Sequence, residues 1–144
     1  MAIIALLHGP NLNLLGQREP HIYGSAMLDD YVATVTTAAA SHGHTVEALQ
    51  TNHEGVLVDA IHSARGQAAA IIINPGAFTH YAWAIHDALA AFDGPIIEVH
   101  ISNPSAREPW RHTSVVAPVA TGSIMGLGIH GYELAVQAIA AKLA

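Results

Sequence analysis

The stretch P-I-I-E-V-H-I-S-N-P-S-A-R-E-P-W-R-H-T-S, Pro95 to Ser114, decides how this chain is read. Ile96, Ile97, Val99 and Ile101 form an apolar run with Glu98 and His100 set into it, the pattern of a strand, and a polar loop with two arginines follows. Glu98 and His100 are two residues apart, so on a strand they point to the same face. Ligands of open α/β sheets bind where the loops diverge at the carboxyl ends of the strands. A carboxylate, an imidazole and two guanidinium groups gathered at such an end read as half of an active site.

Working outward, the rest of the chain alternates strand and helix signals. Ile3 to Leu7 is a continuous apolar run, as expected of a strand covered on both faces. Asn11 to Gly24 has no clean period and reads as a long loop, a length that usually carries function. Leu28, Tyr31, Val32, Val35, Ala38 and Ala39 fall on one helical face, and Gly43 ends that helix. Thr45 to Leu49 and Ala68 to Ile73 read as the second and third strands, the latter stopped by Asn74-Pro75-Gly76. Helical spacing returns at Leu57, Ala60, Ile61 and Ala64, then at Tyr81, Ile85, Ala88, Leu89 and Phe92. Pro95 to Ile101 is the fourth strand and Ser114 to Val119 is expected to be the fifth. Gly122, Gly126, Gly128 and Gly131 are assigned to a loop before a last helix through Tyr132, Ala135, Val136 and Ile139. Alternating elements of this kind imply a parallel sheet with right-handed crossovers. The expected fold is α/β: a flavodoxin-like doubly wound five-stranded parallel sheet with helices on both faces, in a single catalytic domain spanning residues 1–144.

Composition narrows the function. The chain has five Lys and Arg residues against eleven Asp and Glu, a net charge of −6, which disfavours nucleic acid as a partner. Two of its four arginines, Arg107 and Arg111, lie in the loop after the fourth strand. A small anionic ligand held by a few placed arginines fits that distribution better than a polyanion. No cysteine is present, which rules out thiolate metal sites and points to a reducing compartment. The apolar start Met1 to Leu7 is too short for a signal segment, and no run reaches the ~18 apolar residues of a membrane span. A cytoplasmic protein is expected. A hydrophobic fraction of 51% with 11% charged residues suggests surface covered by self-association.

Three polar clusters follow the first, third and fourth strands: Asn11, Arg18 and Tyr23; Asn74 and His80; Glu98, His100, Ser102 and Arg111. A doubly wound sheet would bring all three to one crevice. Each cluster taken singly has a plainer reading: Asn74-Pro75-Gly76 as a turn, Tyr23 as a loop anchor, His100 as a satisfied strand-end histidine, Arg107 and Arg111 as solvated charges.

The segments G-P-N-L-N-L-L-G with R-E-P-H-I-Y-G, N-P-G-A-F-T-H, E-V-H-I-S-N, A-R-E-P-W-R-H and G-L-G-I-H-G-Y-E closely resemble the type II 3-dehydroquinate dehydratases, in order and spacing from about Gly9 to Ala140. The resemblance implies a hydro-lyase that converts 3-dehydroquinate to 3-dehydroshikimate through an enolate, in the shikimate route or in quinate catabolism, with no metal or organic cofactor. By position, Tyr23 is implied as the base, Arg18 as the cation that lowers its pKa, and His100 as the acid for the departing hydroxyl. Asn74, His80, Arg111 and the backbone of Ile101 and Ser102 are implied to bind substrate. The family pattern also implies a dodecamer built from trimers, in which Asp87 completes a neighbouring subunit's site. The sequence departs from the commoner family pattern at His8, Trp110 and Thr113, none of which is an implied catalytic group.

The residue chemistry agrees with this reading. A tyrosine, with an ordinary pKa of ~10, needs a nearby cation to act as a base, and Arg18 is the one in its own loop. Asn11 and the loop backbone could donate to an enolate oxygen, and His100, oriented by Glu98, is a suitable proton donor. A Schiff-base route needs a lysine, and the only one is Lys142. Eleven histidines invite a metal, but none forms an H-x-x-x-H pair with a third ligand nearby. A flavin or phosphate site is disfavoured by the bulky leucines of the first loop.

Overall fold

The computed structural model describes residues 1–144. Five parallel strands, β1 (Ile3–His8), β2 (Thr45–Gln50), β3 (Ala70–Asn74), β4 (Ile96–His100) and β5 (Gly122–Met125), form one sheet in the order β2-β1-β3-β4-β5. That is the flavodoxin-like order, whose strand sequence reverses direction between β1 and β3 and opens a crevice there. The helices are α1 (Pro20–Tyr23), α2 (Leu28–Ser41), α3 (Glu54–Ala64), α4 (Trp83–Ala90) and α5 (Gly128–Leu143).

Strand alternation divides the apolar side chains between two cores. Ile4, Leu6, Ala70, Ile72, Ile97 and Val99 pack with Tyr31, Val35, Tyr132, Val136 and Ile139 of α2 and α5. Ala5, Leu7, Ile71, Ile73 and Ile96 pack with Leu57, Ile61, Ile85 and Leu89 of α3 and α4 on the opposite face. A central strand thus has both faces covered, which is why β1, β3 and β4 are nearly all apolar. The exceptions, His8, Asn74, Glu98 and His100, lie at or near the carboxyl ends and are buried. α2 starts where the Asp30 carboxylate accepts from the Met27 N–H at 2.9 Å, and ends at His42-Gly43, with Gly43 left-handed at φ 79°.

Two expectations are corrected. Ser114 to Val119 is not a strand. The Ser114 hydroxyl takes the backbone N–H groups of Val116 and Ala117 at 3.2 and 2.9 Å, and residues Ala117–Val119 form a single 3-10 turn. Those N–H groups are therefore unavailable to a ladder, and Val115 and Val116 are buried as a plug against the α3/α4 core. The fifth strand lies in the glycine-rich segment that reads as loop: Gly122 to Met125 pair with Ile97 to His100. Tyr81 is also misplaced by periodicity. It precedes α4, is 59% exposed, and meets Phe78 edge-on at 6.1 Å.

The loops after β1 and β3 are keyed into each other. A Cβ on Gly9 would stand 2.1 Å from the Pro75 carbonyl oxygen, and the Gly9 N–H donates to the Asn74 carbonyl at 2.8 Å. Only glycine lets Gly9-Pro10-Asn11 lie against Asn74-Pro75-Gly76 this closely. The contact sets the floor of the crevice.

Candidate active site

A cavity of about 250 Å³ opens at the carboxyl edge of the sheet. Its walls include Asn11, Arg18 and Tyr23 from the first loop, Asn74 and His80 from the third, and His100, Ile101, Ser102, Arg107 and Arg111 from the fourth. Nine of the eleven residues singled out from the sequence line it. Glu98 stands behind His100, and Asp87 is elsewhere.

Tyr23 sits at the end of the short α1, which Pro20 starts and Gly24, at φ 79°, stops. Two backbone positions on the way are left-handed without being glycine, Asn11 at φ 68° and Glu19 at φ 42°. Such conformations cost energy and cluster at functional sites. The Asn11 N–H donates to the Asn52 side chain at 3.0 Å, which fixes that turn. Arg107 donates from Nη1 to the Tyr23 hydroxyl at 2.8 Å and to the Ser102 hydroxyl at 3.2 Å. The Arg18 guanidinium stands 5.2 Å from the centre of the Tyr23 ring and makes no hydrogen bond to its oxygen. The phenol is thus flanked by two cations, and the one on its oxygen is Arg107, which sequence reasoning noted without assigning a role.

His100 and Glu98 share a strand face as their spacing requires. His100 Nε2 is 2.7 Å from Glu98 Oε2, and the carboxylate also accepts from Thr79 at 2.5 Å, Ser114 at 3.0 Å and Ser123 at 3.3 Å. Burial pushes Glu98 upward, but the hydrogen bond and charge of His100, with the Thr79 and Ser114 hydroxyls, outweigh it and hold the carboxyl below its ordinary value. An ionised Glu98 can only accept, so His100 Nε2 carries a proton and the imidazole is held in one orientation. Thr79, Ser114 and Ser123 are residues sequence reasoning missed. Hydroxyls dispersed over the turn after β3, the loop after β4 and strand β5 carry no local signal of convergence.

His80 has Nδ1 2.7 Å from the Thr113 carbonyl and meets Trp110 edge-on at 5.3 Å. A carbonyl only accepts, so Nδ1 carries the proton and Nε2 is free as an acceptor in the neutral ring. Burial lowers the His80 pKa; nearby His100 and Arg111 push the same way against the Thr113 carbonyl. Arg111 is held by Glu108 at 2.5 Å and stacks over Trp110 at 4.0 Å. The backbone N–H groups of Ile101 and Ser102 have no partner within the chain. The cavity therefore offers three loop cations, Arg18, Arg107 and Arg111, several N–H donors and a positioned imidazole, a set suited to an oxygen-rich anion. No group of three or more His, Cys, Asp or Glu side chains is arranged to hold a metal ion.

Asp87 lies on α4 outside the cavity of its own chain. Its side chain is 83% exposed and pairs with His86 at 3.0 Å. Trp83, on the same helix, is 62% exposed.

Fold and cleft together define a doubly wound α/β protein with a polar, cation-lined cleft at its topological switch point. Comparison with known proteins narrows the class. Residues 2–140 match the family described as dehydroquinase class II, and the chain belongs to that family. It is 58% identical over 137 residues to a catabolic 3-dehydroquinase of Aspergillus clavatus, covering 95% of this chain and 91% of that one. It is 52% identical over 139 residues to a 3-dehydroquinate dehydratase of Halalkalibacterium halodurans, covering 96% of each. Among solved structures, the type II dehydroquinase of Propionibacterium acnes superposes with a TM-score of 0.91 at 46% identity, covering 98% of this chain and 97% of that one. That of Butyrivibrio crossotus gives 0.92 at 45%, covering 96% and 97%.

Proposed function

We propose that this chain is a hydro-lyase that dehydrates 3-dehydroquinate to 3-dehydroshikimate without a cofactor, through an enolate. The observation that carries the reading is the opposition, in one small cavity, of a phenol bonded to a guanidinium and an imidazole bonded to a buried carboxylate. It is supported by membership of the dehydroquinase class II family and by relatives named for this activity.

In this reading Tyr23, as phenolate, takes the proton next to the ketone. Arg107, donating to the phenol oxygen, and Arg18, beside the ring, stabilise negative charge there before substrate arrives. Electrons move into the carbonyl, and the enolate oxygen is met by donors from the first loop, with Asn11 on the cavity wall. His100 then gives a proton to the departing hydroxyl. Ionised Glu98, 2.7 Å from Nε2, holds its ring in place. Arg111, Asn74, His80 and the N–H groups of Ile101 and Ser102 orient the substrate's carboxylate and hydroxyls. The bonds broken are C–H and C–O, and the products are the enone and water, so atoms balance with no redox partner.

The proposal extends to assembly and location. Asp87, exposed beside Trp83 and outside its own cavity, is suited to complete a neighbour's site in an oligomer, for which a dodecamer of trimers is the expectation. No helix is long and apolar enough to cross a membrane, and the cysteine-free chain is assigned to the cytoplasm.

The test is turnover of 3-dehydroquinate followed through the ultraviolet absorbance of the conjugated enone. Activity should survive chelation and should not be trapped by borohydride. Tyr23→Phe should lower kcat by roughly 10²- to 10⁴-fold, the range for loss of a general base, while ligand binding persists. Near-normal turnover in that variant would refute the assignment of Tyr23.

A further inference from the structure

Asn74 ends β3 at the cavity wall, and its carboxamide is held from two sides. Its Oδ1 accepts from the Gly76 N–H at 3.1 Å, and its Nδ2 donates to the Tyr132 hydroxyl at 3.0 Å. Exchanging the two ends of the amide would set a donor against the Gly76 N–H, so the partners assign its orientation. Tyr132, fully buried on α5, lies 3.0 Å from His8 Nε2. Its hydroxyl already accepts from Asn74, so its own hydrogen goes to His8, which must present a lone pair at Nε2. Burial supports this by lowering the His8 pKa to about 4, so the ring is neutral at ordinary pH. The bonds run one way, from Asn74 to Tyr132 to His8.

The fold leaves this chain of three little freedom. His8 and Asn74 are direct neighbours across β1 and β3. The His8 ring stacks on Tyr132 with centroids 5.7 Å apart and planes 9° apart, and Tyr31 closes the other side edge-on at 5.0 Å. Both bonds of the chain lie in the interior, since His8, Asn74 and Tyr132 are all buried.

We propose that Tyr132 and His8 are positioning residues which lock the Asn74 carboxamide so that its second N–H faces the cavity as a fixed donor to a substrate oxygen. Neither touches substrate; both act through Asn74. The kinetic arm of the test rests on the dehydratase reading above, and the structural arm does not.

The experiment compares Tyr132→Phe, His8→Leu, His8→Gln, Asn74→Ala and the double variant Asn74→Ala/Tyr132→Phe, each assayed below its unfolding temperature. Loss of one buried hydrogen bond in the chain should lower kcat/KM for 3-dehydroquinate roughly 3- to 10-fold in Tyr132→Phe and His8→Leu. His8→Gln, which can offer an oxygen near Nε2, should recover most of that loss. In the Asn74→Ala background, Tyr132→Phe should cost less than about twofold, because its effect passes through the missing amide. A Tyr132→Phe penalty as large without Asn74 as with it would overturn the proposal. So would kinetic parameters unchanged in both Tyr132→Phe and His8→Leu. Independently of any substrate, a crystal structure of Tyr132→Phe should show the carboxamide rotated or in two orientations. An amide left where it was would reject the lock even if the wild type proved inactive on 3-dehydroquinate.

Discussion

Acid should destabilise this protein through His8 before it reaches the carboxylates. The ring is buried at the end of β1 against Tyr132, and burial lowers its pKa from 6.5 to about 4. In the unfolded chain the same ring titrates near 6.5. Between those values the unfolded state binds more protons than the folded one, so stability falls as pH falls. The contribution is fully present above 6.5 and has been lost by about pH 4. At ~1.4 kcal/mol per pH unit, that gap is worth about 3 kcal/mol. Glu98 works in the same direction at lower pH, because its folded pKa is held below 4.5 and its share is lost as pH falls through that lower value. His80, lowered by burial, adds to the histidine window. A comparison that removes only His8 separates them: His8→Gln keeps a hydrogen-bond acceptor for Tyr132 and cannot titrate there. Urea unfolding, run at steps from about pH 7 to about pH 4 at one protein concentration, gives the free energy for each protein. The wild type should lose about 3 kcal/mol more than His8→Gln across the range. Parallel pH profiles for the two would refute the reasoning and place the His8 proton elsewhere.

Other outcomes test the site. Arg107→Ala removes a charged donor 2.8 Å from the Tyr23 oxygen and should lower kcat roughly 10- to 100-fold, as expected for a hydrogen bond to a developing charge; unchanged kcat would leave the role to Arg18 alone. Glu98→Gln should lower kcat, because the carboxylate that fixes the His100 ring from 2.7 Å is gone; an unchanged kcat would separate Glu98 from proton donation. For the shared site, Tyr23→Phe and Asp87→Asn subunits, each folded but severely impaired, are dissociated and reassembled together. Recovery of activity in the mixed oligomer is expected if Asp87 serves a neighbour, and its absence in a verified mixture would reject that arrangement.

Periodicity was enough to read the parallel sheet, because β1, β3 and β4 are covered on both faces and a strand so placed must be apolar along its length. The i, i+2 spacing of Glu98 and His100 was enough to predict their contact, since alternation along a strand is a backbone property. The clustering of Asn11, Arg18, Tyr23, Asn74, His80, His100 and Arg111 followed from the same logic: parallel strands put all their carboxyl ends on one edge. Motif order carried the rest of the site assignment. What only the tertiary structure decided involves groups whose partners are remote in the chain. β5 is a strand because β4 offers Gly122–Met125 a free edge, although four scattered glycines weaken any local strand signal. Ser114 to Val119 looks like a strand until the Ser114 hydroxyl claims its N–H groups. Arg107 reaches Tyr23 across 84 residues, and Tyr132, placed by helical spacing as one more core residue, joins His8 to Asn74 through a hydroxyl no periodicity can see. Hydrophobic pattern determines which face a residue occupies; the direction of a hydrogen bond depends on which atoms the packed elements bring within 3 Å or so of each other.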